Sequence, residues 1–275
     1  MDEKRLLPEV DFCAFDVETT GNDSRIRMVE LGATRFRMEG ECELLSTLVD
    51  PGVHISSSVT CIHGITDEMV AGAPDARAAL ESFFSFASGC VLLAHNASFD
   101  AAVVSVELAR HAMPVPDFLI LDTVSLARRF IPGPPNYKLT TLTDWLGLFT
   151  QCAHRGLPDA VAAREIFRTA VGSIEDWESH TLCDLKGLAR RSVFGSYRAG
   201  DVELPSGLEA IRDAMGEGRA IRVIYEGGSR GLAPRLITPR GLYEKQGFVY
   251  LEAYCHESCA VKHYRVDRIL EVHLK

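Results

Sequence analysis

Two acidic residues lie one position apart in the stretch FDVETTG, which runs from Phe15 to Gly21. Side chains at i and i+2 of a β-strand point to the same face, so Asp16 and Glu18 are predicted to project together. Paired carboxylates repel each other unless a cation lies between them, and their hard oxygen atoms suit a divalent metal ion. An acidic turn just after a strand is the simpler alternative, and these seven residues leave both interpretations open.

Further acids are predicted at the same end of the sheet. In LLAHNASFDAA a strand ends near His95, and Asp100 falls in the first turn of the next helix. In HRGLPDAVAAREI, His154 lies on a loop and Asp159 in the first turn of another helix. Each has an ordinary explanation, because the helix dipole favours acids in a first turn and loop histidines are common.

Four motifs in this chain, FDVETTG, HGIT, AHNASFD and HRGLPDA, resemble those of the DEDDh 3′–5′ exonucleases. This is the family of the proofreading epsilon subunit of bacterial DNA polymerase III, within the ribonuclease-H-like fold. The resemblance covers residues 9 to about 172, and the motifs follow the family order. The H-x4-D spacing of the last motif distinguishes this branch from the one with tyrosine there. All five signature positions are filled, by Asp16, Glu18, Asp100, His154 and Asp159.

The resemblance implies a role for each of these residues. The four acids would hold two Mg²⁺ or Mn²⁺ ions, one activating a water and one neutralising the leaving 3′ oxygen. Asp16 is implied to bridge both ions, with Glu18 and Asp159 on the water-activating ion and Asp100 supporting the second. His154 is the implied general base, because an imidazole ordinarily titrates near pH ~6.5.

Substrate contacts are also implied by the resemblance. Base stacking tolerates any sequence, so we expect single-stranded 3′ ends to be degraded without strong base preference. Two alternatives remain open: His63 could instead cap the next helix, and Lys138 could contact a phosphate or simply be solvated. The implied contact residues are Thr19, Thr20, Gly21, His63, Asn96 and Phe99.

The elements that must position these residues follow from the apolar patterns. The segments DFCAFDV, RMVELGATRFRM and CELLSTLV predict a three-stranded antiparallel meander. Helical and buried-strand patterns then alternate as far as residue 172, with Ser98 as a predicted helix N-cap and Pro158 near a first turn. The fold class is therefore α/β, a mixed sheet flanked by helices. We predict an exonuclease domain at 1–172 and a linker at 173–205.

A second domain is predicted at 206–275, where short strands separated by glycine-rich turns indicate a small all-β barrel. IRVIYEGG, PRLITPRGLY, FVYLEAYC and YRVDRILEV resemble a WYL domain, with VYL in place of the name-giving Trp-Tyr-Leu. That family is associated with binding nucleic acid or nucleotide-like ligands. Arginines on barrel strands also often pair with acids, so both roles stay open. The ligand candidates are Tyr225, Arg235, Tyr250, Arg265 and Arg268.

Charge and composition limit the partners. The net charge of −9 argues against a general affinity for nucleic acid, but residues 1–175 carry a balance of −10 and residues 176–275 a balance of +1. Metal ions at the acidic cluster would remove the objection to nucleic-acid binding. No apolar run approaches the ~20 residues that span a bilayer, and the start MDEKRLLPEVDF has no apolar signal core, so we expect a cytoplasmic protein without membrane contact.

The sequence thus predicts a metal-dependent 3′–5′ exonuclease, with a WYL domain that binds nucleic acid or a regulatory ligand. DNA is the favoured substrate. The first alternative is an RNA-directed enzyme resembling oligoribonuclease. The second is a non-catalytic nucleic-acid-binding regulator, although a decayed site should have lost at least one signature residue. The predicted barrel stands where a replicative subunit would carry a polymerase-binding tail, which favours repair or nucleic-acid turnover.

Overall fold

The computed structural model describes residues 2–21, 26–148, 154–195, 197–199, 202–227, 231–245 and 247–274. The chain divides into two compact units, the first formed by Met1–Gly21 and Arg27–Gly195 and the second built on Ser196–Lys275. Of the helices in the described ranges, none combines the length and apolarity needed to cross a membrane.

A mixed six-stranded sheet lies at the centre of the first unit, in the order β3-β2-β1-β4-β5-β6. β1 pairs antiparallel with β2 and parallel with β4, β2 pairs antiparallel with β3, β4 is parallel to β5, and β6 is antiparallel to β5. The carboxyl ends of β1, β4 and β5 therefore meet at one edge of the sheet. The strands are β1 (Phe12–Thr19), β2 (Met28–Phe36), β3 (Cys42–Leu48), β4 (Val91–Ala94), β5 (Ile120–Asp122) and β6 (Arg191–Ser192).

Helices flank this sheet. They are α1 (Ser57–His63), α2 (Asp67–Val70), α3 (Ala76–Phe86), α4 (Ser98–Arg110), α5 (Thr123–Phe130), α6 (Leu139–Leu146), α7 (Gly156–Gly172) and α8 (Leu182–Leu188), with single 3-10 turns at Leu7–Glu9 and Trp177–Ser179.

Strand β1 alternates between the two layers of the first unit. The ring of Phe12 lies 4.7 Å from that of Phe167 in α7, whereas Phe15 lies 5.1 Å from Phe83 in α3. Asp16 and Glu18 follow Phe12 at even spacing, so they point to the side of the sheet on which α7 packs. The sheet thus directs both acids toward the start of that helix.

The first turn of α7 approaches β2 so closely that neither Gly32 nor Gly156 has room for a side chain. A Cβ atom on Gly32 would lie 2.0 Å from the backbone nitrogen of Leu157, and one on Gly156 would lie 2.8 Å from the nitrogen of Gly32. Real carbon atoms do not come this near to backbone, so glycine is required on both sides of the contact. The contact brings the helix start within reach of the carboxylates on β1.

The second unit is an antiparallel sheet in the order β11-β10-β9-β8-β12, with β7 paired to the far end of β9. Helix α9 contributes Ile211 and Ala214 to the core beneath this sheet. The all-β character predicted for this region is confirmed. Its elements are β7 (Tyr197–Ala199), α9 (Ala210–Gly216), β8 (Ile221–Tyr225), β9 (Arg235–Lys245), β10 (Phe248–Cys255), β11 (Ala260–Arg265), the 3-10 turn Val266–Arg268 and β12 (Ile269–Leu274).

The α/β fold class and the initial meander are confirmed, but two details differ from the predictions. Ser98 is the first residue of α4, and its predicted place as N-cap is taken by Ala97, which makes no side-chain cap bond. The segment predicted as a linker begins with structure that belongs to the first unit: α8 buries Leu182 and Leu185, and β6 adds a strand to the sheet. The exact domain limits remain a prediction.

Candidate active site

Three carboxylates from two distant parts of the chain meet at the end of β1. Asp16 and Glu18 come from the strand and Asp159 from the first turn of α7, and one oxygen from each lies within 4.8 Å of the other two. In the strand register Asp16 stands opposite Gly32. Because Gly32 carries no side chain, the start of α7 can occupy the space in front of Asp16.

Asp159 is held by the chain that leads into its helix. Its Oδ2 accepts a hydrogen bond of 3.2 Å from the backbone N–H of His154, and its own N–H donates to the carbonyl oxygen of Arg155 at 3.0 Å. The helix dipole also favours a carboxylate in this first turn. The local backbone therefore fixes the side chain, which is only 8% exposed.

Asp100 lies beside this group, in the first turn of α4. It is 2% exposed, and its Oδ1 accepts a hydrogen bond of 3.2 Å from the N–H of Val17, the residue between Asp16 and Glu18. The chain enters α4 through Asn96, whose φ is +69° and whose N–H donates to Oδ1 of Asp122 at 3.1 Å. The three-carboxylate group does not include Asp100, which is instead attached to the backbone of the strand that carries two members of the group.

Burial raises the pKa of each of the four acids, and nearby negative charges add to the effect. Burial, reinforced by the charges of Asp100 and Asp159, raises the pKa of Asp16 well above its usual range. Burial and then the charge of Asp159 raise the pKa of Glu18 to about 8. Burial raises the pKa of Asp100 to about 7 and that of Asp159 to about 6, the latter against an opposing effect of His154. These buried charges are unfavourable together unless a cation compensates them.

The donor atoms fit a small divalent cation. All are carboxylate oxygens, which suit Mg²⁺ and Mn²⁺ better than softer metals. The oxygens of Asp16, Glu18 and Asp159 already converge, so such an ion would replace repulsion between them by attraction to a shared charge.

His154 is hydrogen-bonded to Asp159 through its backbone N–H and not through its side chain. Its φ is +61°, a conformation that non-glycine residues rarely adopt, and its N–H is bonded to Asp159. The residue itself is exposed. Strained backbone of this kind is concentrated at functional sites.

The residues that follow the first motif form a hydrogen-bonded turn. The hydroxyl of Thr19 donates to the carbonyl of Gly21 at 2.6 Å, and the hydroxyl of Thr20 accepts from the N–H of Arg27 at 3.1 Å. His63 is buried against this turn: its Nδ1 accepts from the N–H of Ile65 at 3.0 Å, which leaves Nε2 to donate to the carbonyl of Thr19 at 3.2 Å. Burial lowers the pKa of His63, so the neutral ring stabilises the turn through these two hydrogen bonds.

The loop before α4 carries the other predicted substrate contacts. Asn96 occupies its turn, and Phe99, next to Asp100, is 37% exposed, unlike most aromatic rings of this unit. His95 anchors the start of this loop through two hydrogen bonds. Its Nδ1 lies 2.9 Å from the Thr123 hydroxyl, and its Nε2 lies 3.0 Å from the carbonyl oxygen of Tyr137.

Sequence reasoning missed the pair formed by Glu30 and Arg155. Glu30 is 2% exposed in β2 and binds the guanidinium of Arg155, with Nη2 2.6 Å from Oε1. The available signal was an acid inside the apolar run MVELGA, the same anomaly that identified Asp16.

In the second unit, Tyr225 lies between two of the predicted arginines. The guanidinium of Arg235 is 5.1 Å from the centre of the Tyr225 ring and donates to the carbonyl of Gly227 at 2.7 Å. The backbone N–H of Arg265 donates to the Tyr225 hydroxyl at 3.3 Å, while its side chain pairs with Asp267. Both arginines therefore have structural partners.

The other two predicted ligand residues are less constrained. Tyr250 stands opposite Arg265 in the strand register and stacks on Tyr243, with ring centres 5.3 Å apart. Arg268 is exposed, and its charge, after that of Arg265, also helps to lower the pKa of Asp267.

Two family models match this chain. The model described as Exonuclease (RNase_T) matches residues 13–167, and the WYL domain model matches residues 207–274. Among curated proteins, DNA polymerase III subunit epsilon of Treponema pallidum is 35% identical over 165 residues, which are 59% of this chain and 77% of that protein. DNA polymerase III PolC-type of Caldanaerobacter subterraneus subsp. tengcongensis is 36% identical over 166 residues, 60% of this chain but only 12% of that protein.

Solved structures show the same fold. The nuclease domain of 3′hExo, described as a DEDDh family member bound to rAMP, superposes with a TM-score of 0.53 at 19% identity, covering 59% of this chain and 92% of that one. Exonuclease I superposes with a TM-score of 0.55 at 16% identity, covering 90% of this chain and 55% of that one.

The raised pKa values predict how pH affects the stability of the metal-free protein. At these acids the folded chain keeps protons that the unfolded chain releases near pH ~4, so their contribution to stability is largest at low pH and is lost as pH rises through about 6 to 8. We expect the melting temperature in chelator to fall by several degrees between pH ~6 and ~8. Mg²⁺ should raise it more at the higher pH.

Tryptophan fluorescence is the appropriate probe, because Trp145 and Trp177 both belong to the first unit. The Asp16→Asn variant should show a weaker pH dependence and a smaller effect of Mg²⁺, whereas Asp184→Asn, at an exposed helix cap, should behave as wild type in both. A melting temperature that is constant or rises over this pH range would contradict the coupling of the four acids.

Proposed function

Because the chain belongs to the exonuclease family whose model matches residues 13–167, we propose that it removes nucleoside monophosphates from the 3′ ends of DNA by metal-dependent hydrolysis. The observation that carries this proposal is the convergence of the carboxylates of Asp16, Glu18 and Asp159 within 4.8 Å. The curated relatives that match most of this region are named as DNA polymerase III proteins, which supports DNA as the substrate.

The four acids would hold the metal ions. Two bound Mg²⁺ or Mn²⁺ ions would supply a water of lowered pKa and neutralise charge on the scissile phosphate and leaving oxygen. Asp16 is central, because the burial that raises its pKa is reinforced by the charges of Asp100, Asp159 and Glu18. Asp100, anchored to the N–H of Val17, keeps its carboxylate beside that centre.

His154 would accept the proton of the attacking water. Its exposure allows the ring to reach substrate, and the bond from its N–H to Asp159 keeps it next to the acids. A base that is complete only with substrate present also limits unproductive hydrolysis. His154 therefore takes the proton, while the 3′ oxygen of the next nucleotide leaves.

The terminal nucleotides would lie against the turn at Thr19, Thr20 and Gly21 and the exposed ring of Phe99. Stacking on an aromatic ring requires an unpaired base, which supports a preference for single-stranded ends. Asn96 and His63, which is hydrogen-bonded to the carbonyl of Thr19, would border the same site. Removal of RNA 3′ ends is the alternative, since discrimination at the 2′-hydroxyl depends on contacts with bound substrate.

A time course on 5′-labelled single-stranded DNA and matched RNA tests the proposal. With Mg²⁺ or Mn²⁺ we expect a ladder of products shortened from the 3′ end, faster on DNA, and no products in chelator. Asp159→Ala should reduce the rate by more than about a thousandfold, because an essential carboxylate is removed. Asp184→Ala, which removes another first-turn acid, should retain wild-type activity.

Immediate release of the labelled 5′ nucleotide would show the wrong polarity. Activity of Asp159→Ala near that of wild type would contradict the assigned site. A faster reaction on RNA would favour the RNA-directed alternative, and no metal-dependent hydrolysis of either polymer would favour a binding regulator.

For the second unit, we propose a contribution to nucleic-acid binding through Arg268, with Tyr225, Tyr250 and Arg265 forming the surrounding surface and the buried Arg235 supporting the ring of Tyr225. The exposed guanidinium of Arg268 is available to a phosphate, whereas Arg235 and Arg265 already bind partners in the chain. A small anionic ligand is the alternative occupant.

The Arg268→Ala variant of the full chain should raise KM for the DNA oligomer several-fold and leave kcat unchanged, because it removes a phosphate contact made by the second unit, which carries none of the four acids or His154. Arg222→Ala, an exposed arginine on β8, is the matched control and should leave both constants unchanged. An unchanged KM in Arg268→Ala would exclude this contact and leave the small ligand as the alternative.

A further inference from the structure

Glu30 is a buried acid next to the active-site carboxylates, but its contacts are unlike theirs. It stands opposite Glu18 in the β1–β2 register and is 2% exposed. Its Oε1 accepts from Nη2 of Arg155 at 2.6 Å, and its Oε2 accepts from Nε of Arg155 at 2.9 Å and from the N–H of Gly156 at 2.8 Å. Both oxygens are therefore saturated by donors, so the carboxylate is not available as a metal ligand.

These contacts hold the start of one helix. Gly156 is the first residue of α7, and its N–H is one of those that a helix leaves without an internal partner. Glu30 supplies that partner from a neighbouring strand, across 126 positions of the chain. Arg155 precedes Gly156 directly, so the ion pair and the hydrogen bond fix two consecutive residues.

The fixed residues lie between the two groups on which the proposed chemistry depends. His154 precedes Arg155, and the carbonyl of Arg155 accepts from the N–H of Asp159. The backbones of β2 and α7 are in direct contact at Gly32 and Gly156, so the helix cannot move closer to the strand. A shift of Arg155 or Gly156 would therefore move Asp159 relative to Asp16 and Glu18.

The pair also has an electrostatic cost. The charge of Glu30 adds repulsion at Asp16, Glu18 and Asp159, and Arg155 opposes it with a bidentate pair. An apolar residue would pack in β2 without this problem, but it could not bind the N–H of Gly156.

We propose that Glu30 and Arg155 are positioning residues that set the distance from Asp159 to Asp16 and Glu18, and so determine metal affinity and turnover. This inference rests on the proposed function, since it concerns the same acidic site. Partners that orient metal ligands typically contribute about 10- to 100-fold in metal affinity or activity.

The Glu30→Gln variant of the full chain tests the pair. Mn²⁺ binding is measured by calorimetry and by electron paramagnetic resonance, and kcat and KM are measured with the single-stranded DNA oligomer. We expect Mn²⁺ affinity and kcat each to fall by about 10- to 100-fold, with KM changed by less than about twofold. A merely structural role would lower the melting temperature but leave Mn²⁺ affinity unchanged.

Glu107→Gln is the matched control. Glu107 is also 2% exposed, accepts a backbone N–H, that of Met28 at 3.0 Å, and pairs with an arginine, Arg110. Its contacts do not include α7, so we expect a similar loss of thermal stability with wild-type Mn²⁺ affinity. An equal loss of Mn²⁺ affinity in both variants would mean that general destabilisation is responsible, and would overturn the proposal.

Arg155→Lys provides a second test if Glu30→Gln folds poorly. Lysine keeps the charge but cannot form the two-pronged contact, and Arg155 is at the edge of the site, with its side chain 34% exposed. We expect Mn²⁺ affinity to fall by at least about fivefold. Wild-type affinity in both variants would overturn the inference, whereas a wild-type protein that neither binds Mn²⁺ nor cleaves DNA would instead refute the proposed function.

Discussion

The gathering of four carboxylates in one small region, with Asp100 and Asp159 buried and Asp16 and Glu18 half-buried, is the constraint on which the candidate site depends. Burial raises the pKa of Asp16, Glu18, Asp100 and Asp159, and the like charges of neighbouring acids add to this effect at each of them. A protein tolerates this arrangement when the surrounding structure imposes it and when protons or a cation compensate the charges. The fold supplies the first requirement, and the proposed metal ions supply the second.

The structure imposes the arrangement through backbone contacts. Asp100 is bonded to the N–H of Val17, and Asp159 to the N–H of His154, so the acids are anchored to the chain instead of to one another. Two contacts join β2 to the start of α7. Gly32 packs directly against Gly156, and the N–H of Gly156 donates a hydrogen bond to Glu30. The positions of the acids therefore depend on the backbone and on the contact between β2 and α7.

Much of this was accessible from the sequence because it is local. The alternation of β1 placed Asp16 and Glu18 on one face, and the helical patterns after residues 97 and 155 placed Asp100 and Asp159 in first turns of helices, as observed. Contacts between distant residues were not accessible. Nothing in the residues around Glu30 specifies Arg155 as its partner, and the need for Gly32 becomes apparent only when α7 packs against it. Likewise, the pattern of arginines in the second unit could not show that Arg235 and Arg265 would bind Gly227 and Asp267.

The proposed function depends above all on the binding of divalent metal ions by the carboxylates of Asp16, Glu18 and Asp159. Diffraction from crystals soaked in Mn²⁺, recorded at a wavelength where manganese scatters anomalously, measures this directly. We expect anomalous peaks among Asp16, Glu18 and Asp159, with metal–oxygen distances close to the about 2.0–2.1 Å that is typical of Mg²⁺. Absence of any peak there at saturating Mn²⁺, in crystals that remain ordered and at a pH where the acids are ionised, would contradict it.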